Sequence, residues 1–294
     1  MGADLAAGYP EARALFERAD AVLGEPLSRL LFEGPERELT LTRNAQPALL
    51  VTSLAALVAL ESAGPIERAF VAGHSLGEWT ALVAAGVLAF DDAVRLVRLR
   101  GDAMQEAVPS GEGGMAALMG LDAAAVDAVC AAAAEGQVVS AANHNGAGQI
   151  VIAGHTAAVA RACDLARARG ARRAVVLPVS APFHCALMAP AAARVAVALA
   201  DVPMQDPRVP VVTNVDAAPT TTAARARELL VAQITSPVRW EDGVKRLAAE
   251  GVTHAVELGS GAVLAGLVKR IAPGIRTSTI STPTDVQAFT REPV

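Results

Sequence analysis

Residues 73–77, Gly-His-Ser-Leu-Gly, come directly after a short apolar run and directly before an Ala- and Leu-rich stretch. The pattern predicts a buried strand over 69–72, a tight turn, and a helix from about 78, which is the setting in which G-x-S-x-G carries chemistry. A serine on so sharp a turn needs small neighbours, which Gly73 and Gly77 supply. The turn lifts the Ser75 hydroxyl out at a helix N-terminus, where the Leu76 N–H can face a developing oxyanion. Ser75 is the candidate nucleophile.

With 294 residues the chain can bury a large core, in one large domain or two smaller ones. Apolar residues make up 53% but aromatics only 3%, so that core is built from Ala, Val and Leu. A net charge of −5 without any basic block argues against nucleic-acid binding. Cys130, Cys163 and Cys185 form no C-x-x-C pair, which fits a reducing, cytoplasmic setting without disulfides. No H-E-x-x-H or Cys/His cluster announces a metal site. The longest apolar run, 48–60, is shorter than a bilayer requires, so no membrane association is expected.

Helical periodicity over 1–23 places Leu15, Phe16, Ala19 and Leu23 on one stripe. Pro26, Gly34 and Pro35 punctuate a polar connection. Asn44 is placed to cap the next helix, with Gln46 at its entrance, Pro47 in its first turn, and Leu49, Leu50, Leu54, Leu57 and Leu60 on its buried face. A helix over 91–106 carries Arg95, Arg98 and Arg100, which composition alone reads as a solvated face.

The composition changes at 109–114, Pro-Ser-Gly-Glu-Gly-Gly. Beyond it the pattern predicts a strand (115–119), a helix (122–134), a hairpin around 145–148, a helix (156–169) and a strand (174–179). This βαββαβ order is the split-βαβ arrangement. The expected fold class is α/β. A hydrolase-like, mostly parallel sheet flanked by helices spans 1–108 and 180–294, with an inserted ferredoxin-like subdomain over 109–179. The active site is then expected in the cleft between the two. His184 lies where the chain returns, after a Pro-Phe turn, and can serve Ser75 as general base and acid. His74 adjoins the nucleophile but points away from it if the turn forms. Glu257 is the carboxylate candidate for orienting His184, with a backbone carbonyl as the alternative. The Glu-Leu-Gly-Ser-Gly stretch at 257–261 is read as a structural turn, since no phosphate-loop pattern is present.

Together, 73–78 (GHSLGE), Arg100 in Arg-Leu-Arg-Gly and the Ser-Ala-Pro-Phe-His stretch ending at His184 resemble the malonyl-CoA:acyl-carrier-protein transacylase family. The resemblance continues through 42–50 (TRNAQPALL), 143–154 (NHNGAGQIVIAG), 210–216 (PVVTNVD), 236–240 (SPVRW) and 257–261 (ELGSG), in order over nearly the whole chain. It implies a Ser75–His184 dyad, with the main-chain carbonyl of Gln233 orienting the histidine and the Leu76 N–H as oxyanion donor. It also implies that Arg100 holds the malonyl carboxylate, since a guanidinium fork pairs bidentately where lysine offers a point charge. Gln46, Asn143, Asn145 and His74 match residues at the acyl pocket, and the ring of Phe183 should crowd a 2-methyl branch. Malonyl-CoA and acyl carrier protein are the implied partners of an expected monomer, and no cofactor is required.

Family members begin with an apolar strand and a Phe-Pro-Gly-Gln-Gly-Ser-Gln loop, whereas the first residues here align just after that loop. Unpaired strand edges are therefore expected, with Leu76 alone as oxyanion donor. Losing one such donor typically costs roughly a hundred- to a thousand-fold in rate. Two alternatives remain open on the sequence: a serine thioesterase or other α/β-hydrolase, and a catalytically impaired scaffold that binds acyl carriers.

Overall fold

The computed structural model describes residues 1–179 and 181–291. The stripe expected as one helix over 1–23 is divided into α1 (Ala3–Gly8) and α2 (Pro10–Leu23). Tyr9 between them is extended (φ −134°, ψ 113°), the conformation that steric conflict with a following proline imposes. Phe16 and Ala19 are buried, while Leu15 and Leu23 are partly covered. The expected polar connection holds two short helices, α3 (Leu27–Glu33) and α4 (Glu36–Leu39), because Leu27 and Leu31, one turn apart, are buried in the main core.

The next helix, α5 (Thr42–Ala63), is the spine of the larger core. It starts at Thr42 with Leu41 in the capping position, so Asn44 does not cap it. Asn44 instead donates from Nδ2 to the Glu38 carbonyl at 2.8 Å and accepts from Arg98. Pro47 accordingly lies within the helix, beyond its first turn. Leu50, Leu54, Leu57 and Leu60 are buried as expected, but Leu49 faces outward, 39% exposed. The apolar run read as too short for a bilayer sits in a helix of 22 residues, long and apolar enough to cross one on those criteria alone. Most of it is buried here, against α2 and the two helices that follow it.

A strand, β1 (Val71–Ala72), leads into α6 (Leu76–Ala84) and then α7 (Phe90–Glu106). A second sheet is made by β2 (Gly113–Met119), β3 (Val139–Gly146), β4 (Gln149–His155) and β5 (Arg173–Val176), all antiparallel, in the order β3-β4-β2-β5. Helices α8 (Ala123–Ala134) and α9 (Thr156–Ala168) connect its strands; Asp122 caps α8 by accepting from Ala125 N at 2.8 Å. Alternation along the strands gives the sheet two apolar faces. Ala116, Leu118, Ile150 and Ile152 pack with α8 and α9. Met115, Ala117, Val151 and Ala153 pack instead with Cys185, Phe183 and Leu187, the segment that carries His184. Ser180, which opens that segment's motif, lies outside the described residues, as do 292–294.

The chain then runs through α10 (Ala189–Ala200), β6 (Val211–Val212), β7 (Pro219–Thr220), α11 (Ala223–Gln233), α12 (Trp240–Ala249), β8 (His254–Leu258), α13 (Val263–Ile271), β9 (Arg276–Ile280) and α14 (Pro283–Arg291). The single, mostly parallel sheet expected from the sequence is found as two separate pieces. β1 pairs parallel with β6, and β7 adds antiparallel to β6; β8 pairs parallel with β9. Among the described residues no ladder joins β1 to β8. The strand expected to be buried over 69–72 is thus two residues long and only half-buried, with a partner on one side alone among the described residues.

Truncating Leu50 to alanine, in the middle of α5, should lower the unfolding free energy by about 2–5 kcal/mol. Urea titration followed by circular dichroism measures this, and a loss below about 1 kcal/mol would remove α5 from the centre of the core.

Candidate active site

Ser75 sits between β1 and α6 with φ 51° and ψ −105°, a conformation that costs a non-glycine residue energy. A Cβ on Gly73 would lie 2.0 Å from the carbonyl carbon of Gly77, so no side chain fits at 73. A Cβ on Gly77 would meet nothing within 4 Å; the expected steric need at both glycines holds only for the first. Asn214 clamps the turn from the loop after β6. Its Oδ1 accepts from the Ser75 N–H at 2.7 Å and its Nδ2 donates to the Gly73 carbonyl at 2.8 Å. Gly77 N and Glu78 N donate back to His74 and Ser75 carbonyls. The Leu76 N–H has no acceptor among the described residues, which leaves it open at the start of α6.

His184, buried and also at positive φ (60°), places Nε2 2.7 Å from Ser75 Oγ. Its Nδ1 lies 2.8 Å from the main-chain carbonyl of Gln233 at the end of α11. A carbonyl only accepts, so Nδ1 carries the proton and the Nε2 lone pair faces the serine hydroxyl. Burial first, and the Arg100 charge second, push the imidazole pKa down to about 3. Glu257, the carboxylate candidate for orienting the ring, is occupied elsewhere: it accepts from Leu264 N at 3.1 Å and Ala265 N at 2.7 Å, at the N-terminus of α13. The orienting group is the carbonyl.

Of the three arginines on α7, only Arg100 reaches the serine. Arg95 pairs with Asp92 at the surface, and Arg98 binds Asn44 and Glu25. Arg100 is 1% exposed and donates from Nη1 to Gln46 Oε1 at 2.6 Å. Its Nη2 donates to Gln233 Oε1 at 3.0 Å and to Ser75 Oγ at 3.1 Å. Its Nε is buried without a partner among the described residues. Burial pulls the guanidinium down to about 10, with Glu78 opposing. Gln46 is therefore no helix cap; its Nε2 donates to Thr42 Oγ1 at 3.1 Å while its oxygen holds Arg100.

His74 makes no side-chain hydrogen bond to Ser75 among the described residues; its Nε2 lies 2.9 Å from Asn145 Oδ1. That contact ties the serine turn to the tip of the β3–β4 hairpin. Asn143 is buried on β3, bridged through its main chain to Val238, with no side-chain hydrogen bond to the Ser75 cluster among the described residues. Phe183 is half-buried, against both the main core and the β2–β4 face.

Two residues of the cluster escape sequence reasoning. Asn214 lies within the 210–216 stretch of the resemblance without being singled out there, and Ser75-x-x-Glu78 has the spacing of a helix capping box. In a capping box Glu78 would accept from the Ser75 N–H. Here Asn214 takes that bond, and Glu78, 0% exposed, accepts from Asn214 N at 2.8 Å and Gln233 Nε2 at 2.9 Å. Burial pushes its carboxyl up to about 7. The available signal was a lone acid in the first turn of an otherwise apolar helix.

A strained serine backed by a neutral, buried histidine defines a site for nucleophilic acyl chemistry. The chain belongs to the acyl transferase domain family, whose model matches residues 1–280. It is 50% identical over 288 residues to the malonyl CoA-acyl carrier protein transacylase of Salmonella typhimurium, covering 98% of this chain and 93% of that one. To the Bacillus subtilis protein of the same description it is 49% identical, over 98% and 90%. The solved malonyl CoA-acyl carrier protein transacylase of Coxiella burnetii superposes with a TM-score of 0.96 at 41% identity, over 99% and 92% of the two chains. A type II PKS acyl-carrier protein in complex with its malonyl-transacylase matches with a TM-score of 0.95 at 45% identity, over 98% and 93%.

Because the folded-state pKa of His184 lies below the ordinary 6.5, the ring stays neutral as pH falls through that value. Nitrogen-15 NMR of histidine-labelled protein should find this ring uncharged, with the proton on Nδ1, down to about pH 5. A titration of His184 centred near 6.5 would contradict the buried dyad.

Proposed function

We propose that the chain transfers a malonyl group from malonyl-CoA to the phosphopantetheine thiol of acyl carrier protein, through a malonyl ester on Ser75, supplying fatty-acid or polyketide synthesis. The observation that carries this reading is Arg100, a buried guanidinium 3.1 Å from the nucleophilic oxygen with no carboxylate in hydrogen-bond contact among the described residues. A hydrolase for simple acyl thioesters needs no such cation; an acyl group that ends in a free carboxylate does. In this reading the carboxylate takes the place of the Ser75 hydroxyl on Nη2 and pairs with that nitrogen and a further guanidinium N–H; Nε, buried, has no partner among the described residues.

In the first half-reaction Ser75 Oγ attacks the thioester carbonyl and passes its proton to His184 Nε2. The Leu76 N–H faces the oxyanion. As the C–S bond breaks, CoA leaves as the thiol, taking the proton from His184. In the second half the phosphopantetheine thiol gives its proton to His184 and attacks the serine ester. Ser75 Oγ then leaves and recovers the proton. The Gln233 carbonyl stabilises the imidazolium formed in each half. The thioester supplies the activation, so the transfer needs no cofactor.

In this reading the larger body, 1–108 and 180–294, is hydrolase-like, and 109–179 is a ferredoxin-like insertion. The acyl pocket lies between them, with Gln46, His74, Asn143, Asn145 and Phe183 around it. Support comes from the strand order β3-β4-β2-β5 and from the His74–Asn145 contact. Three buried free thiols, Cys130, Cys163 and Cys185, fit work in the cytoplasm.

Initial rates with malonyl-CoA and carrier protein varied together should give parallel double-reciprocal lines, the mark of a covalent intermediate; intersecting lines would refute it. Arg100→Ala should lower malonyl loading of Ser75 about a hundredfold more than acetyl loading, since a charge-assisted pair is lost from one substrate only. Equal losses on both would dismiss the carboxylate clamp.

A further inference from the structure

The groups that react are each held by a group that does not. The His184 ring depends on the Gln233 carbonyl, and one Arg100 nitrogen depends on the Gln233 side-chain oxygen. The Ser75 peptide is held on one side by Asn214 and on the other by Gln233 Nε2, which donates to the Ser75 carbonyl at 3.0 Å. Gln233 and Asn214 arrive from different parts of the chain, and Gln233 Nε2 also lies 3.2 Å from Asn214 Oδ1. A single atom, Glu78 Oε2, joins the two: it accepts from Gln233 Nε2 and from Asn214 N. Glu78 stands one helical turn beyond the nucleophile, is fully buried, and leaves Oε1 without a partner among the described residues.

We infer that Glu78 is a positioning residue for acyl transfer: by holding Gln233 and Asn214 together it sets the carbonyl that orients His184, the amide that holds Arg100, and the strained Ser75 peptide. The inference rests on the reading of Ser75 and His184 as the reacting pair. A misplacement of about 1 Å in such a pair can cost a hundredfold in rate. Because Oε2 acts as an acceptor of two N–H bonds, an amide oxygen at the same place can do the same work. An apolar side chain cannot: it leaves the buried Asn214 N–H without its acceptor and Gln233 Nε2 with only the Ser75 carbonyl and Asn214 Oδ1.

The test is single-turnover acylation of the 294-residue chain by malonyl-CoA, read by intact mass, with the His184 ring followed by nitrogen-15 NMR. Glu78→Ala should lower the maximal acylation rate about a hundredfold, with a smaller rise in half-saturation because Arg100 keeps Gln46 but is loosened from Gln233. Glu78→Gln should restore the rate to within about tenfold of wild type. Gln233→Met, which keeps the main-chain carbonyl, should lose as much as Glu78→Ala, and the double variant no more than the worse single one. The His184 Nδ1–H signal should move in Glu78→Ala and return in Glu78→Gln. A folded Glu78→Ala acylating at the wild-type rate, an unmoved His184 signal, or additive losses in the double variant would each overturn the inference. Should Glu78→Ala fail to fold, Gln233→Met decides: a loss of about a hundredfold with a moved His184 signal supports the route through Gln233, and a wild-type rate with an unmoved signal refutes it. Wild-type protein that forms no adduct would refute the functional reading itself, an outcome separate from all of these.

Discussion

A guanidinium buried beside a serine, with only neutral partners in hydrogen-bond contact among the described residues, is the constraint around which this molecule is arranged. Taking a cation out of water is expensive unless other groups replace the lost hydration. Around Arg100 that replacement is made by Gln46 from α5, Gln233 from α11 and the Ser75 hydroxyl, with the Glu78 carboxyl nearby through Gln233. Each comes from a different part of the chain, so the larger core must be assembled before the charge can be housed. In the proposed function the substrate's own carboxylate completes the set, which makes the same arrangement both a binding site and a means of selection.

Two-faced packing explains how a serine and a histidine separated by 109 positions meet. One face of the four-stranded sheet is sealed by α8 and α9; the other lies on the segment 183–187. That contact holds the returning chain beside the β1–α6 turn, and the His74–Asn145 hydrogen bond adds a tie at the hairpin tip. The sheet therefore serves the site by shape. Its described part in the hydrogen bonds around the serine is confined to that one asparagine.

Much of this was legible in the sequence, for identifiable reasons. The elbow announces itself because only a narrow set of residues tolerates its backbone, and the βαββαβ segment because alternation and turn residues agree over a short span. Resemblance, and not spacing, pointed to the Gln233 carbonyl. The residues alone favoured Glu257, which in the fold satisfies the open N–H groups of α13. A main-chain acceptor leaves no side-chain signature, so no pattern could distinguish it. Asn44 misled because it matches a local capping rule yet is claimed by distant partners, Glu38 and Arg98; Glu78, which also has a capping-box spacing, is likewise claimed by Asn214 and Gln233. Local rules fail where tertiary hydrogen bonds outbid them. The division of the larger sheet into β6-β1 and β8-β9 pieces is likewise a matter of long-range pairing, although unpaired edges were expected from the motif order.

The most direct measurement is the intact mass of the protein after brief exposure to malonyl-CoA, with peptide mapping of any adduct and a chase with phosphopantetheinylated acyl carrier protein. The account predicts one malonyl group, on Ser75, that leaves the protein and appears on the carrier when the carrier is added. A folded protein that acquires no adduct, or one that carries it on a residue other than Ser75, would contradict the account at its centre.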